Sequence, residues 1–317
     1  MYRIFLTTLI VLLCCSSPLS AQTEDGQNPL MADPTIFFHN GVYYLYGTNG
    51  RGADNGFIAY TSTDLRSWKA AGKVLTPGDA FGTKGFWAPQ VFTYKGRFYM
   101  AYTANEHIAI AVADNPLGPF KQEKQVPLEG PVRMIDPFVF FDKGKIYLYH
   151  VRLREGNRIY VAEMNEALTA IRETTARECL HAAPGWENTA NAPWGVTEGP
   201  TVFKRGDLYY MLYSANDFRN PDYAIGIAAS TSPLGPWRKE PINPVISRAS
   251  VGANGPGHGD LFRDKQGRWM YVLHTHFSGT RVAPRKTAVI QLLFPKKKGD
   301  PIIKADPKTF RFLNHIQ

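Results

Sequence analysis

Cysteine is scarce in this 317-residue chain, which has three. Two of them, Cys14 and Cys15, end an N-terminal apolar stretch, so a chain trimmed there keeps Cys179 alone and closes no disulfide within itself. Stability must then come from packing. Beyond Ile4 to Cys15 no apolar run is long enough to cross a bilayer. No oxygen-rich calcium loop is present, and no nucleic-acid-binding motif accompanies the positive charge. That charge, a formal +9 from 36 basic and 27 acidic residues, is spread along the chain. Its one cluster is Lys296-Lys297-Lys298, and it reads as a solvated surface.

Residues 1–21 carry Arg3, the apolar stretch and then Ser16-Ser17-Pro18-Leu19-Ser20-Ala21. This is the pattern of a secretory signal peptide cut after Ala21. The expectation is an exported protein, periplasmic or extracellular, whose residues 22–317 form one domain. Anchoring as a lipoprotein through Cys14 or Cys15 is the alternative, although neither follows the usual small residue.

What the chain does have is aromatic residues, 13% of the total, set in short strand-like runs, and a phrase that recurs five times. The copies run Asp33-Pro34-Thr35-Ile36-Phe37 to Tyr46, Trp87-Ala88-Pro89-Gln90-Val91-Phe92 to Tyr102, and Asp136-Pro137-Phe138-Val139-Phe140 to Tyr149. Two more run Gly199-Pro200-Thr201-Val202-Phe203 to Tyr213 and His258-Gly259-Asp260-Leu261-Phe262 to His274. In each, a strand passes through a Gly turn, such as Asn40-Gly41 or Lys95-Gly96, into a second strand, which is a hairpin signature. A second phrase, an alternating strand followed by a polar turn and an aromatic, follows most hairpins, as in Ala113-Asp114-Asn115-Pro116-Leu117-Gly118-Pro119-Phe120. It is faint in the third copy. Repeats of one small sheet at this spacing predict an all-β, five-bladed β-propeller. The first strand of each blade then lines a central channel, which brings Asp33, Asp136, Glu198 and His258 to one pocket. Singly, an Asp before Pro is a turn former and Glu198 a loop residue; three carboxylates meeting at strand heads are what glycoside hydrolysis uses.

These residues resemble glycoside hydrolase family 43, a five-bladed family of inverting enzymes that act largely on arabinose- and xylose-containing polysaccharides. The resemblance rests on Ala32-Asp33-Pro34, Phe86-Trp87-Ala88-Pro89, Ile135-Asp136-Pro137, Thr197-Glu198-Gly199-Pro200 and Gly257-His258-Gly259-Asp260. It implies Asp33 as general base, Glu198 as general acid, and Asp136 as the carboxylate that orients the acid and raises its pKa. By the same resemblance His258 lies near the propeller axis and contacts a water network or, through water, a structural calcium. Arg285 reaches the sugar and the acidic cluster. Trp87, with Phe86 beside it, is expected to stack on a sugar face or to pack between blades. No cofactor is required, and a monomer is expected. Gln90 departs from the family, which often has an acidic residue there. The chain also ends soon after the fifth blade, where many xylosidases continue into a β-sandwich, and this weakens the β-xylosidase reading.

The expected activity is release of α-L-arabinofuranosyl residues from plant cell-wall polysaccharide, with β-xylosidase and endo-arabinanase as alternatives on the same fold. Net positive charge would help approach acidic polysaccharides. The insert from Ala167 to Pro193, with Trp186 and Trp194 at its end, is the expected rim of the cleft. A propeller lectin would lack a catalytic carboxylate, and an invertase-like enzyme would carry Arg before the second Asp and Cys beside the acid. Here Ile135 precedes Asp136 and Gly199 follows Glu198.

Overall fold

The computed structural model describes residues 29–50, 52–295 and 302–313; the leader with Cys14 and Cys15, and the Lys296 to Lys298 cluster, lie outside them. Within the repeats the chain reverses where two consecutive residues take positive φ: Asn40-Gly41 at 49° and 80°, Lys95-Gly96 at 46° and 77°, and Lys143-Gly144 at 50° and 76°. That pair of angles follows the twist of the flanking strands, and Gly in the second place carries no Cβ to oppose it.

Blade one is β1 (Met31–His39), β2 (Val42–Asn49), β3 (Phe57–Ser62) and β4 (Lys69–Leu75), and blade two is β5 (Trp87–Tyr94), β6 (Arg97–Ala104) and β7 (His107–Ala113). Blade two's fourth strand is reduced to one bridge, Val112 to Lys121. Blade three is β8 (Met134–Asp142), β9 (Lys145–Leu153), β10 (Asn157–Glu163) and β11 (Arg177–Leu180). Blade four is β12 (Thr197–Arg205), β13 (Leu208–Ala215), β14 (Ala224–Ser230) and β15 (Arg238–Lys239); blade five is β16 (Gly257–Arg263), β17 (Trp269–Thr275), β18 (Lys286–Leu293) and β19 (Lys304–Phe312). The five antiparallel sheets form the expected five-bladed β-propeller.

The core explains the ring. It divides into five apolar clusters, each shared by two neighbouring blades: Tyr46 and Phe57 with Met100, Ala101 with Leu148, Tyr149 with Met211, Leu212 with Leu273, and Val272 with Leu45. Each sheet thus buries both faces, and the fifth cluster joins blade five to blade one. The closure is also polar, since Met31 N–H donates to Thr287 Oγ1 at 3.1 Å and Thr287 Oγ1 donates back to Met31 O at 3.1 Å. Tyrosines tie blades together at their outer parts. Tyr46 Oη donates to Pro116 O at 2.5 Å and Tyr149 Oη to Pro233 O at 2.6 Å, so two copies of the second phrase receive a buried hydroxyl from the preceding blade.

Every innermost strand is bulged at its start. The register shifts between Ala32 and Thr35, Trp87 and Gln90, Ile135 and Phe138, Glu198 and Thr201, and Gly257 and Gly259. At each bulge one residue takes positive φ: Asp33 at 48°, Ala88 at 46°, Asp136 at 55°, Gly199 at 58° and His258 at 33°. Such a residue turns its N–H out of the ladder, and a buried N–H needs an acceptor. Four find one on the second strand of the preceding blade: Asp33 N donates to His274 Nδ1, Ala88 N to Thr48 Oγ1, Asp136 N to Thr103 Oγ1 and His258 N to Ser214 Oγ, at 2.8 to 3.0 Å. Blade three has Val151 at the matching register position, opposite Ile135, and valine accepts nothing. Gly199 N–H turns instead to Asp136 Oδ2 at 3.2 Å.

Two residues further along the fifth blade's inner strand from His258 lies a half-buried carboxylate, Asp260, with a measurable consequence. Asp260 Oδ2 accepts from Thr35 Oγ1 at 2.6 Å, and Oδ1 from Thr201 Oγ1 at 3.2 Å and Leu261 N at 2.7 Å. Burial nonetheless pushes its pKa up to about 6, against the pull of those donors. Since folding favours the protonated form, stability is greatest below the unfolded value near 3.8 and is lost as pH rises toward 6. A shift of that size corresponds to about 3 kcal/mol. Asp260→Asn keeps the shape and removes the charge, so its Tm should exceed wild type by about 5 °C at pH 7.5 and match it at pH 4. Thermal unfolding followed by circular dichroism at both pH values checks this; a lower Tm at pH 7.5 would show that the anion is needed.

Candidate active site

The bulge sorts neighbouring side chains into different roles. Residues at positive φ, Asp33, Asp136 and His258, converge on the axis, whereas the residue just before the head, Trp87, Ile135 or Glu198, forms the wall of a pocket of about 410 Å³. The rest of the wall comes from Asn157, Trp194, Val196, the segment Asp217 to Arg219, and Arg285. Beneath it, three consecutive residues of each inner strand, from Asp33-Pro34-Thr35 to His258-Gly259-Asp260, leave a space of only about 20 Å³. The pocket is therefore blind, and anything entering it leaves the way it came.

One residue earlier than the wall, the direction reverses again. Phe86 is fully buried, lying against Tyr102 at 6.0 Å between ring centroids and against the edge of Phe57 at 5.8 Å. The expectation that Phe86 contacts sugar is corrected: it is core between blades one and two, and Trp87 alone of the pair faces the pocket. Gln90 is internal as well. Its Nε2 donates to Val139 O at 3.2 Å and its Oε1 accepts from Val139 N at 2.6 Å, so it laces blade two to blade three.

Asp33 lies beside the Arg285 charge, a hydroxyl and two imidazoles. Its Oδ2 accepts from Thr48 Oγ1 at 2.5 Å, while Oδ1 lies 3.3 Å from His258 Nδ1, 3.4 Å from His274 Nδ1 and 3.4 Å from Arg285 Nη1. Burial by itself would raise its pKa, but the Arg285 guanidinium first, with His258 beside it, overcomes it and holds the carboxyl well below the usual range. Asp33 is thus an anion at any ordinary pH. Arg285 also lies over the Phe218 ring, 4.7 Å from its centroid, which fixes the guanidinium against one wall.

Glu198 and Asp136 are in the opposite condition. Glu198 Oε1 accepts from Tyr223 Oη at 2.8 Å and Oε2 from Asn157 Nδ2 at 2.9 Å. Burial still dominates, and with the charges of Asp33 and Asp217 it raises Glu198 to about 7. Asp136 is pushed well above the carboxylate range, by burial first and by Glu198 and Asp33 second. Desolvation, more than the third carboxylate, keeps the proton on Glu198. The contribution of Asp136 to orienting it is visible instead in the backbone, because the Gly199 N–H on Asp136 Oδ2 seats the peptide next to Glu198. Gly199 is required there: a Cβ would stand 2.7 Å from the His258 ring.

His258 sits between the two aspartates, 3.3 Å from Asp33 Oδ1 and 3.8 Å from Asp136 Oδ2, and burial lowers its pKa. Among the described residues no three His, Cys, Asp or Glu side chains are grouped to hold a metal. A calcium beside His258 would have that imidazole as its one such ligand and water around it, supplying positive charge near Asp33.

Asn157, Tyr223, His274 and Thr48 were not found by reading strand heads, because each lies on a second or third strand or beyond one. The rim lies at 181–196, after β11, with Trp194 on the pocket and Trp186 turned inward against Tyr213, 6.0 Å between ring centroids. The buried Glu187 pins it by accepting from Tyr213 Oη at 2.6 Å and Ala183 N at 2.7 Å and by pairing with Lys239.

The sequence model of Glycosyl hydrolases family 43 matches residues 27–297. A non-reducing end alpha-L-arabinofuranosidase of Bacteroides ovatus is 28% identical over 262 residues, covering 78% of this chain and 46% of its own. An arabinoxylan arabinofuranohydrolase of Bacillus subtilis is 28% identical, over 72% of this chain and 55% of its own. The chain spans about half the length of these two relatives. Among solved structures, one described as an endo-1,4-beta-xylanase from Bacteroides thetaiotaomicron superposes with a TM-score of 0.82 at 38% identity, covering 87% of this chain and 94% of that one. A thermostable family-43 glycoside hydrolase gives 0.79 at 34% identity, covering 87% and 92%.

Proposed function

The chain belongs to glycosyl hydrolase family 43, and on that premise we propose that it is an exported, inverting glycoside hydrolase that releases α-L-arabinofuranosyl residues from plant cell-wall polysaccharide. One observation carries the reading: in a single pocket Asp33 is held ionised by Arg285, with His258 beside it, while burial keeps Glu198 protonated up to about 7. Inverting hydrolysis needs that division between a base and an acid. Asp33 takes a proton from a water as its oxygen attacks the anomeric carbon, and Glu198 gives its proton to the glycosidic oxygen as the old bond breaks on the opposite face. The enzyme ends with a proton on Asp33 and none on Glu198, and solvent restores both.

The pocket supports action at chain ends. It is sealed below and walled by Trp87, Trp194 and Phe218 from different blades, which suits one terminal sugar better than a polymer passing through. Xylan is the second reading, favoured by the solved 38%-identical chain described as an endo-1,4-beta-xylanase. Pentose units that differ by a hydroxyl direction are separated by pocket contacts.

The test is hydrolysis of aryl α-L-arabinofuranoside against aryl β-D-xyloside, with arabinan and xylan as polymers. Preference for the arabinofuranoside with release of free arabinose is expected; oligomers from xylan would overturn both the sugar and the end-acting mode. On a disaccharide, kcat/KM should fall as pH rises past about 7, where Glu198 loses its proton.

A further inference from the structure

One of the two grips on Glu198 leads out of the pocket to the rim. Asn157 Nδ2 donates to Glu198 Oε2 at 2.9 Å, and Asn157 Oδ1 accepts from Trp194 Nε1 at 2.9 Å. An indole N–H can only donate, so it dictates which end of the amide faces which neighbour. The oxygen must face Trp194, and the NH₂ must face Glu198.

The backbone builds this contact in. Asn157 N–H donates to Gly195 O at 2.9 Å, and Thr197 Oγ1 donates to Asn157 O at 3.1 Å, so both neighbours of Val196 are tied to the start of β10. The approach is close enough to need Gly156, where φ is +122° and a Cβ would stand 2.7 Å from Gly195 O. Trp194 itself is 48% exposed, so its ring is not held there by burial.

We propose that Trp194 is a positioning residue for the general acid, acting through Asn157: its indole N–H obliges the amide to donate to Glu198, which aims the carboxyl and sets the pH at which the proton is lost. This rests on the reading of Glu198 as the acid. Donation to a carboxylate favours its ionised form, so the relay works against burial. Without the indole N–H the amide can turn, and its oxygen can accept from the neutral carboxyl, which favours the protonated form. The other groups facing Glu198 are common to both arrangements. Asp33, Asp136 and Asp217 oppose its ionisation, Tyr223 donates to Oε1, and His258 and Arg285 lie on the Asp33 side of the pocket. The relay is therefore the part of the environment of Glu198 that the rim controls.

The test is the pH profile of kcat/KM on arabinobiose or xylobiose, whichever the wild type cleaves, for wild type, Trp194→Phe, Asn157→Leu and Glu198→Gln. Trp194→Phe keeps an aromatic face and deletes only the donor at a half-exposed site, and circular dichroism should show an unchanged fold. Its basic limb should move up by about half to one pH unit, a gain of about three- to tenfold in relative activity above the limb. Asn157→Leu should move the limb the same way. A limb that stays in place or moves down in Trp194→Phe, or a rise in KM alone, would overturn the proposal and leave Trp194 as a platform for sugar. Glu198→Gln separates the premise from the proposal. If it retains the wild-type limb and rate, the acid has been misassigned; if it loses them while Trp194→Phe leaves the limb unmoved, only the relay fails.

Discussion

Glu198→Ala should lower kcat/KM on disaccharides by about 10²- to 10⁴-fold and leave dinitrophenyl glycosides within about tenfold of wild type. A sugar leaves as an alkoxide and needs a proton as the bond breaks, whereas a dinitrophenolate is stable without one. The buried Glu198 holds its proton to about 7, so it can supply it at neutral pH. Wild type should accordingly show its basic limb on disaccharides and not on dinitrophenyl substrates. Equal losses on both leaving groups would remove Glu198 as acid and point to a binding role.

The second large effect is expected at Asp33, whose replacement should lower turnover on both substrate types by about 10³-fold or more. Attack by water is common to every leaving group, so a good one gives no relief. Asp33→Asn is the variant to make first, because it keeps an oxygen for Thr48 Oγ1. Asp33→Ala would also leave the half-buried Arg285 without its carboxylate, and a loss of stability would obscure the loss of chemistry. Binding of the product sugar, measured by calorimetry, should persist in Asp33→Asn. Proton NMR of the wild-type reaction should show the first-formed sugar with inverted configuration at its anomeric carbon. Retained turnover in Asp33→Asn would place the base elsewhere, and retained configuration would require a nucleophile in place of a base.

These expectations draw unequally on sequence and structure. The blades were legible because their cause is local: β-branched and aromatic runs, Gly turns at positive φ, and a unit repeated until it closes. Asp33, Asp136 and Glu198 were legible because they sit at fixed points in that unit. Phe86 and Trp87 show where such reading stops. They are adjacent in a phrase that names both, yet Phe86 is core and Trp87 is wall, and only the direction of the chain entering the bulge separates them.

Asn157, Tyr223 and His274 show the other limit. They come from β10, the segment before β14, and β17, and no spacing links them to the acids they adjoin. Ionisation is further still from the linear order. Asp33 and Asp136 each precede Pro at the head of a like strand, and one is held as an anion while the other is held protonated. That difference comes from the Arg285 charge beside Asp33 on one side, and from burial and the neighbouring Glu198 at Asp136 on the other. The sequence by itself determined the repeated strands, their closure into five blades and which three carboxyls meet at the pocket, because hydrogen bonding and alternation act between near neighbours. Only the tertiary structure decided which carboxyl is charged and which side chains hold it, because burial and Coulomb forces sum over groups that the chain order keeps as many as 252 residues apart.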